Sequence, residues 1–133
     1  MQNNLFLVLL IMNNILYKEQ FKEFAYIYII SDDNGYMKIG VSKNPEKRLK
    51  QLQTGHPTNL KLLYTEEFYC KRNHLLKIEA LIHKEIKNIA HRVKGEWFEI
   101  PLDKFEEIKN IIILYRIQYE DNETALKYNI PIF

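Results

Sequence analysis

Three side chains whose chemistry suits a phosphate ligand lie within one stretch of this sequence. Tyr28, Lys38 and Arg48 carry a phenol, an ammonium and a guanidinium. A phenol donates and accepts hydrogen bonds, and the two cations favour the negative charge of a phosphate. The same residues also fit a half-buried tyrosine flanked by cations that reach solvent along apolar surface. The elements that position them decide between these two interpretations.

Two alternating segments, residues 26–31 and 36–41, predict a β-hairpin around the turn Asp32-Asp33-Asn34-Gly35. A two-residue loop, Asn34-Gly35, would mix apolar and charged side chains on one face of the sheet. A three-residue loop that ends at Gly35, with this glycine left-handed, avoids the mixture. Because a slip of one residue moves every side chain to the opposite face, the apolar pattern selects the three-residue loop.

This register places Tyr28 opposite Gly40 and Ile30 opposite Lys38. Tyr28 and Lys38 then become diagonal neighbours on one face, within reach of a single ligand. Gly40 is expected to leave an open space beside the phenol. The other face is wholly apolar and consists of Ile27, Ile29, Met37, Ile39 and Val41.

A helix follows the hairpin and carries the third of these residues. Asn44 is a favourable N-cap, and Pro45 suits the first helical position. The helix is predicted to run to about residue 54 and to stop at Gly55. Arg48 therefore lies one turn into the helix, near the end of the sheet that holds Tyr28.

The remainder of the chain predicts one further strand and two further helices. Residues 59–69 alternate as a strand, and residues 72–90 show an apolar stripe at helical spacing. Residues 97–100 form a short extended segment, and Asp103 is predicted to cap a helix over residues 104–119. This order of elements predicts a single small α+β domain with an antiparallel sheet.

Positive charge is concentrated in the middle of the chain. Residues 38–95 carry thirteen Lys and Arg against five Glu, and they hold all four histidines, although the net charge of the chain is +2. Such a basic block is typical of a protein with a polyanionic partner, and it also occurs on solvated lysine-rich faces. Cys70, the single cysteine, cannot form an internal disulfide, so we expect a cytoplasmic location, or a nuclear one in a eukaryotic host.

Residues 1–24 are predicted to be an accessory segment without a function of its own. The apolar run at residues 5–12 is too short to span a bilayer, and no basic residue precedes it as in a secretory signal. The run is either a strand or short helix packed on the domain, or an upstream extension of a chain that starts at Met12. No membrane partner is expected.

Six short motifs follow one another between residues 25 and 100. They are Tyr26-Ile27-Tyr28, Lys38-Ile39-Gly40, Arg48, Thr54-Gly55-His56-Pro57, Glu79-Ala80-Leu81-Ile82-His83 and Gly95-Glu96-Trp97-Phe98. Together, in this order, they resemble the GIY-YIG nuclease superfamily, in its phage T-five orf-172-type / meiotically up-regulated gene 113-type branch. Residues 101–133 would then form a C-terminal helical extension of the same domain.

The resemblance implies a metal-dependent endonuclease that hydrolyses nucleic-acid phosphodiester bonds. Its fold would be a three-stranded antiparallel sheet flanked by helices, with an extra C-terminal helix. Tyr28 would be the general base, and Arg48 would hold and neutralise the scissile phosphate. Glu79 would bind one divalent cation, Mg²⁺ or another such as Mn²⁺. These roles suit phosphoryl transfer, which depends on positioning and charge stabilisation.

Three further residues are candidates for the catalytic site. Lys38 replaces the tyrosine of the second motif, as is usual for this branch, and we expect it to contact a phosphate rather than to act as a base. His83 projects from the same helical face as Glu79, where it would assist the metal, donate a proton or simply pack. His56 lies on a loop from which it would reach the substrate.

DNA is the expected partner, and RNA is left open. One alternative is a non-catalytic DNA-binding module that retains the nuclease fold. A pure binding module would not need a carboxylate that faces phosphates, so Glu79 favours the enzyme. Another alternative is a small interaction protein, with a homodimer formed through the helix at residues 103–119.

Overall fold

The predicted hairpin is present in the computed structural model, which describes residues 2–19 and 21–128. Strand β1 spans Glu23–Ser31 and strand β2 spans Tyr36–Ser42. Tyr28 pairs with Gly40 and Ile30 with Lys38. This is the register of the three-residue loop, and Gly35 has the left-handed conformation with φ 85°. The register predicted from the apolar pattern is therefore confirmed.

The hairpin belongs to a larger sheet than the resemblance implied. Three more strands are present, β3 (Lys61–Cys70), β4 (His91–Lys94) and β5 (Trp97–Glu99). The five strands are antiparallel in the order β3-β1-β2-β5-β4. The predicted three-stranded sheet was too small. The segment at residues 97–100 that was predicted to be extended contains β5, whereas β4 is too short for alternation to reveal it. The α+β class is confirmed.

Four α-helices accompany the sheet in the described part of the chain: α1 (Gln2–Glu19), α2 (Pro45–Gln53), α3 (Arg72–Ile86) and α4 (Phe105–Tyr128). Helix α3 ends earlier than the apolar stripe indicated. Helix α4 extends further than predicted, and a 3-10 turn at Leu102–Lys104 precedes it. Asp103 lies inside that turn and is not a helix cap, which corrects its predicted role.

The two faces of the sheet are covered by different helices. The apolar face of the hairpin packs with α3 and α4, where Ile29, Ile39, Ile82 and Ile112 are completely buried. Each such side chain contributes about 1.5–3 kcal/mol of hydrophobic stabilisation. On the other face α2 contacts β1, β2 and β3 and covers a smaller apolar cluster around Tyr28. Helix α2 therefore covers the face of the sheet on which the site was predicted.

Helix α1 includes the apolar run near the N-terminus. The side chains at residues 5–12 are exposed, so this run forms a helix that does not pack on the domain. Within residues 2–19 and 21–128, no helix is both long and apolar enough to cross a membrane. The alternative that the chain starts at Met12 stays a prediction.

Helix α2 begins as the sequence indicated. Asn44 is the N-cap, its side-chain oxygen accepts a hydrogen bond from the backbone N–H of Lys47 at 3.1 Å, and Pro45 occupies the start of the helix. The cap fixes the first turn of α2, which carries Arg48 towards the sheet. Local capping chemistry therefore helps to position a candidate site residue.

We expect Asn44→Ala to lower the free energy of unfolding by about 1 kcal/mol, because the Lys47 N–H loses its acceptor. Urea denaturation of the wild type, Asn44→Ala and Asn44→Asp measures this, with the aspartate variant retaining an acceptor. Asn44 is exposed, so no apolar contact is lost with it. Equal stability of Asn44→Ala and the wild type would contradict a capping role.

Candidate functional site

Tyr28 lies at the centre of the site and is almost completely buried. A Cβ atom on Gly40 would lie 2.6 Å from Cζ of the Tyr28 ring, so only a glycine permits this contact. The space that we expected Gly40 to leave beside the phenol is thus filled by the phenol itself. The prediction was wrong because pairing register fixes the neighbours but not the direction of the ring.

Arg48 of α2 is near enough to the phenol of Tyr28 to act on its pKa. Burial raises the pKa of Tyr28, while a hydrogen bond from the Arg48 guanidinium opposes this shift by favouring the phenolate. The nearby carboxylates of Glu96 and Glu79 raise the pKa further. The phenol and the guanidinium therefore lie on the same face, as predicted. Burial and the neighbouring charges together set the pKa of Tyr28.

Lys38 is also on this face and pairs with Glu96, a residue that was not among the predicted site residues. The Lys38 ammonium is 2.9 Å from Oε2 of Glu96 and lies 5.7 Å from the centre of the Trp97 ring. Glu96 belongs to the tight turn between β4 and β5, and its backbone oxygen accepts a hydrogen bond from the Ile39 N–H. Glu96 thus faces both Lys38 and, near Gly40, the phenol of Tyr28.

Glu79 brings a buried carboxylate to the same place from α3. Its Oε2 atom is buried and has no hydrogen-bond partner among the described residues. Burial, and next the negative charge of Glu96, raise the pKa of Glu79 to about 7, against the opposing charges of Lys38 and Arg92. A buried carboxylate oxygen without a partner is costly, so this atom is suited to an additional cation.

The donor set fits a hard divalent cation. Mg²⁺ prefers oxygen ligands and needs only one or two protein carboxylates, because it keeps several waters. Glu79 and Glu96 interact electrostatically and are such carboxylates. In the part of the chain that the structure describes, no three His, Cys, Asp or Glu side chains form a fuller metal site. Because both carboxylates supply oxygen ligands, the pair suits a hard cation such as magnesium or manganese.

His83 connects α3 to the hairpin. Its Nε2 atom is 2.7 Å from the backbone oxygen of Ile39, so this nitrogen carries a proton and donates a hydrogen bond to the carbonyl. Burial lowers the pKa of His83, so the imidazole is neutral near pH 7. The ring also packs 5.4 Å from the Phe98 ring. These contacts favour packing among the three predicted roles of His83.

His56 lies on the loop after α2, at the edge of the site. Its Nδ1 atom accepts a hydrogen bond from the Thr58 N–H at 3.3 Å, which holds the imidazole in place. The ring stacks against Trp97 with a centroid distance of 5.9 Å, and Trp97 in turn contacts Lys38. His56 is therefore next to the site without touching its charged groups.

The fold brings Tyr28, Lys38, Arg48 and Glu79 together. It adds Glu96, which lies in the motif Gly95-Glu96-Trp97-Phe98.

The family model of the T5orf172 domain matches residues 23–113. This chain belongs to the T5orf172 domain family. The phage T-five orf-172-type resemblance is thereby confirmed, and membership supports a nuclease-like or DNA-binding fold. No curated protein and no solved structure matches the chain.

The pKa of Glu79 predicts a pH-dependent difference in stability between the wild type and Glu79→Gln. Because burial raises this pKa from 4.5 to about 7, the folded protein holds the proton more tightly than the unfolded chain does. This stabilisation is complete below the pKa that Glu79 has in the unfolded chain, and it is lost as the pH rises through about 7. We expect Glu79→Gln to gain about 1–2 kcal/mol over the wild type across this interval, after solvent screening.

Urea denaturation in the presence of a chelator, at pH values between 4 and 8, measures this difference. Glu106→Gln is the matched control, because this glutamate is exposed on α4. A stability difference between Glu79→Gln and the wild type that stays constant over the whole range would contradict the buried, proton-binding carboxyl.

The Lys38–Glu96 ion pair is expected to show an asymmetric mutational cost. The Lys38 side chain is 10% exposed and that of Glu96 is 34% exposed. Glu96→Gln leaves a nearly buried ammonium unpaired, whereas Lys38→Met leaves a carboxylate that water can reach, so the first change should destabilise more. A double-mutant cycle by urea denaturation should give a coupling energy of about 1–2 kcal/mol.

The exposed pair Lys104–Glu107, at 3.5 Å, provides the reference cycle and should give a coupling below about 0.5 kcal/mol. Equal coupling energies in the two cycles would show that Lys38 and Glu96 are solvated independently.

Proposed function

We propose that this protein is a metal-dependent endonuclease that hydrolyses phosphodiester bonds of nucleic acid, with DNA as the expected substrate. The observation that carries the proposal is the buried, partnerless Oε2 atom of Glu79, beside the cluster of Tyr28 and Arg48. A cation and a phosphate together would satisfy charges that the folded chain leaves uncompensated. Membership of the T5orf172 domain family supports the same class of function.

Glu79 is the residue that would hold Mg²⁺ or Mn²⁺. The charge of Glu96 acts on Glu79, so Glu96 is the candidate for a second oxygen ligand. A bound divalent cation would supply positive charge to a phosphate in the transition state. The raised pKa of Glu79 has a consequence for this role. Near pH 7 its proton competes with the cation, because a metal ligand must be ionised.

Arg48 would hold the scissile phosphate through its planar guanidinium, which can donate two parallel hydrogen bonds to phosphate oxygens. Because Arg48 acts on the Tyr28 phenol, this phenol would lie beside that phosphate. As a phenolate, which the Arg48 charge favours, Tyr28 would orient the attacking water and accept its proton. Because burial raises the pKa of Tyr28, base function depends on this guanidinium.

Lys38 would add a second contact to the phosphate. An ammonium has three donors, and Glu96 occupies one of them, so further donors stay available for a ligand. Glu96 also fixes where this cation lies. His83 would act by holding Glu79's helix against Ile39, and His56 would meet the substrate beside Trp97.

A non-catalytic DNA-binding module is the alternative that the basic block at residues 38–95 favours. Binding to phosphates requires cations only, and a carboxylate beside the phosphate would repel it. The cluster of Glu79 and Glu96 therefore argues for the enzyme, in which a metal offsets this repulsion. The homodimer through residues 103–119 stays a prediction.

Supercoiled plasmid tests the proposal directly. We expect the wild type to nick plasmid in Mg²⁺ or Mn²⁺ and not in a chelator. Glu79→Gln and Arg48→Ala should each lower the nicking rate by about 100-fold or more, because each removes charge stabilisation of the transition state. The exposed Glu106→Gln variant should nick at the wild-type rate.

Binding of the same plasmid, measured in a chelator by gel shift, separates the two candidate functions. Glu79→Gln is expected to keep its affinity while losing cleavage. Binding by a wild-type protein that never nicks in either metal would favour the binding module, and undiminished nicking by Glu79→Gln would remove Glu79 from the mechanism.

A further inference from the structure

A concave surface beside the site is lined by four basic residues. We call it the hairpin pocket after the second hairpin, β4–β5, because β4 and the turn to β5 form most of it. Its basic lining residues are Lys87, His91, Arg92 and Lys94, and no acidic residue lines it. None of them has a part in the proposed reaction.

The backbone gives the hairpin pocket its shape. Pairing between β4 and β5 shifts between Arg92 and Lys94, which is a bulge, and Gly95 follows with a positive φ of 57°. Bulges bend a strand and change the direction of its side chains. Lys87 enters from the end of α3. Local geometry therefore gathers these cations on a shallow, open surface.

The cations of the hairpin pocket are available to a ligand. Lys87 and Lys94 are exposed, and within residues 2–19 and 21–128 neither makes an ion pair. Glu99, which pairs with His91 across β4 and β5, does not line the pocket. A pocket lined by cations and by no carboxylate favours an anion.

Arg92 is held in place inside this group. Its Nε atom donates a hydrogen bond to the backbone oxygen of Gly95, and its guanidinium lies 5.8 Å from the centre of the Phe98 ring. Its two terminal nitrogens have no hydrogen-bond partner among the described residues. A fixed guanidinium with free terminal donors is well suited to two oxygens of one phosphate.

The hairpin pocket adjoins the candidate catalytic site. The charge of Arg92 acts on both Glu79 and His83. Gly95 lines the pocket, and the next residue, Glu96, is paired with Lys38 inside the site. The two sites therefore share the turn between β4 and β5.

We propose that the hairpin pocket binds a backbone phosphate of the substrate that neighbours the phosphate held by Arg48. The ligand class is a phosphodiester chain that extends past the cleaved bond, so the substrate is a polynucleotide and not a small phosphate ester. This inference rests on the proposed function, which supplies the phosphate at Arg48. Binding of a phosphate in the hairpin pocket does not itself require cleavage. The pocket supplies affinity and register along the strand.

Binding of fluorescein-labelled duplexes of about 20 base pairs, in DNA and RNA form, tests the proposal in a chelator. The variant Lys87→Gln/Lys94→Gln is compared with Lys104→Gln/Lys109→Gln, which removes the same charge from the C-terminal part of the chain. The hairpin-pocket variant should lose about 10-fold in affinity at low salt, and the slope of log K against log[salt] should fall by about 1–2. The control should change little.

Unfolding midpoints of both double variants, measured in urea, verify that each is folded. A loss on DNA, on RNA or on both supports the hairpin pocket and identifies the backbone that it takes. Losses no larger than those of the control would overturn it, because net charge alone would then explain them. Because binding is measured in a chelator and without cleavage, its result stays separate from any failure of the proposed nuclease activity.

Discussion

The pairing of Tyr28 with Gly40 across β1 and β2 is the constraint on which the candidate site depends. Because Gly40 has no Cβ, the phenol lies against the backbone, next to Arg48 and the carboxylate of Glu96. A slip of one residue would turn Tyr28 and Lys38 towards α3 and α4 and would expose the apolar face. Core packing and site geometry therefore require the same register, so the hydrophobic effect that folds the domain also aligns its polar groups.

The charges on this face are only partly balanced. Lys38 and Glu96 offset one another at 2.9 Å, while Glu79 keeps a buried oxygen without a partner and a raised pKa. Burial of a carboxylate in this way lowers stability, and a pair of apolar side chains would pack there at less cost. An added cation, as proposed, would complete this arrangement. Such perturbed groups in contact are typical of sites that bind or react.

Local signals in the sequence predicted the parts of this site that depend on local structure. Alternation fixed the hairpin register, and Asn44-Pro45 fixed the start of α2 and hence Arg48. The same signals missed Glu96, because its position depends on β5 pairing with β2 over only three residues. They also missed the direction of the Tyr28 ring, which follows from packing under α2. Long-range pairing and side-chain packing leave little trace in a short window of sequence.

The two short strands β4 and β5 are the ones that complete the site. A sheet of β1, β2 and β3 would present Tyr28 and Lys38 but no carboxylate beside the ammonium. Adding β5 and β4 brings Glu96 to Lys38 at one side of their turn, and it brings Arg92 and the hairpin pocket to the other. Because one turn carries both, a phosphate bound in the pocket would lie close to the charges around Glu79. Under the two proposals, the extension of the sheet would link substrate binding to the candidate catalytic residues.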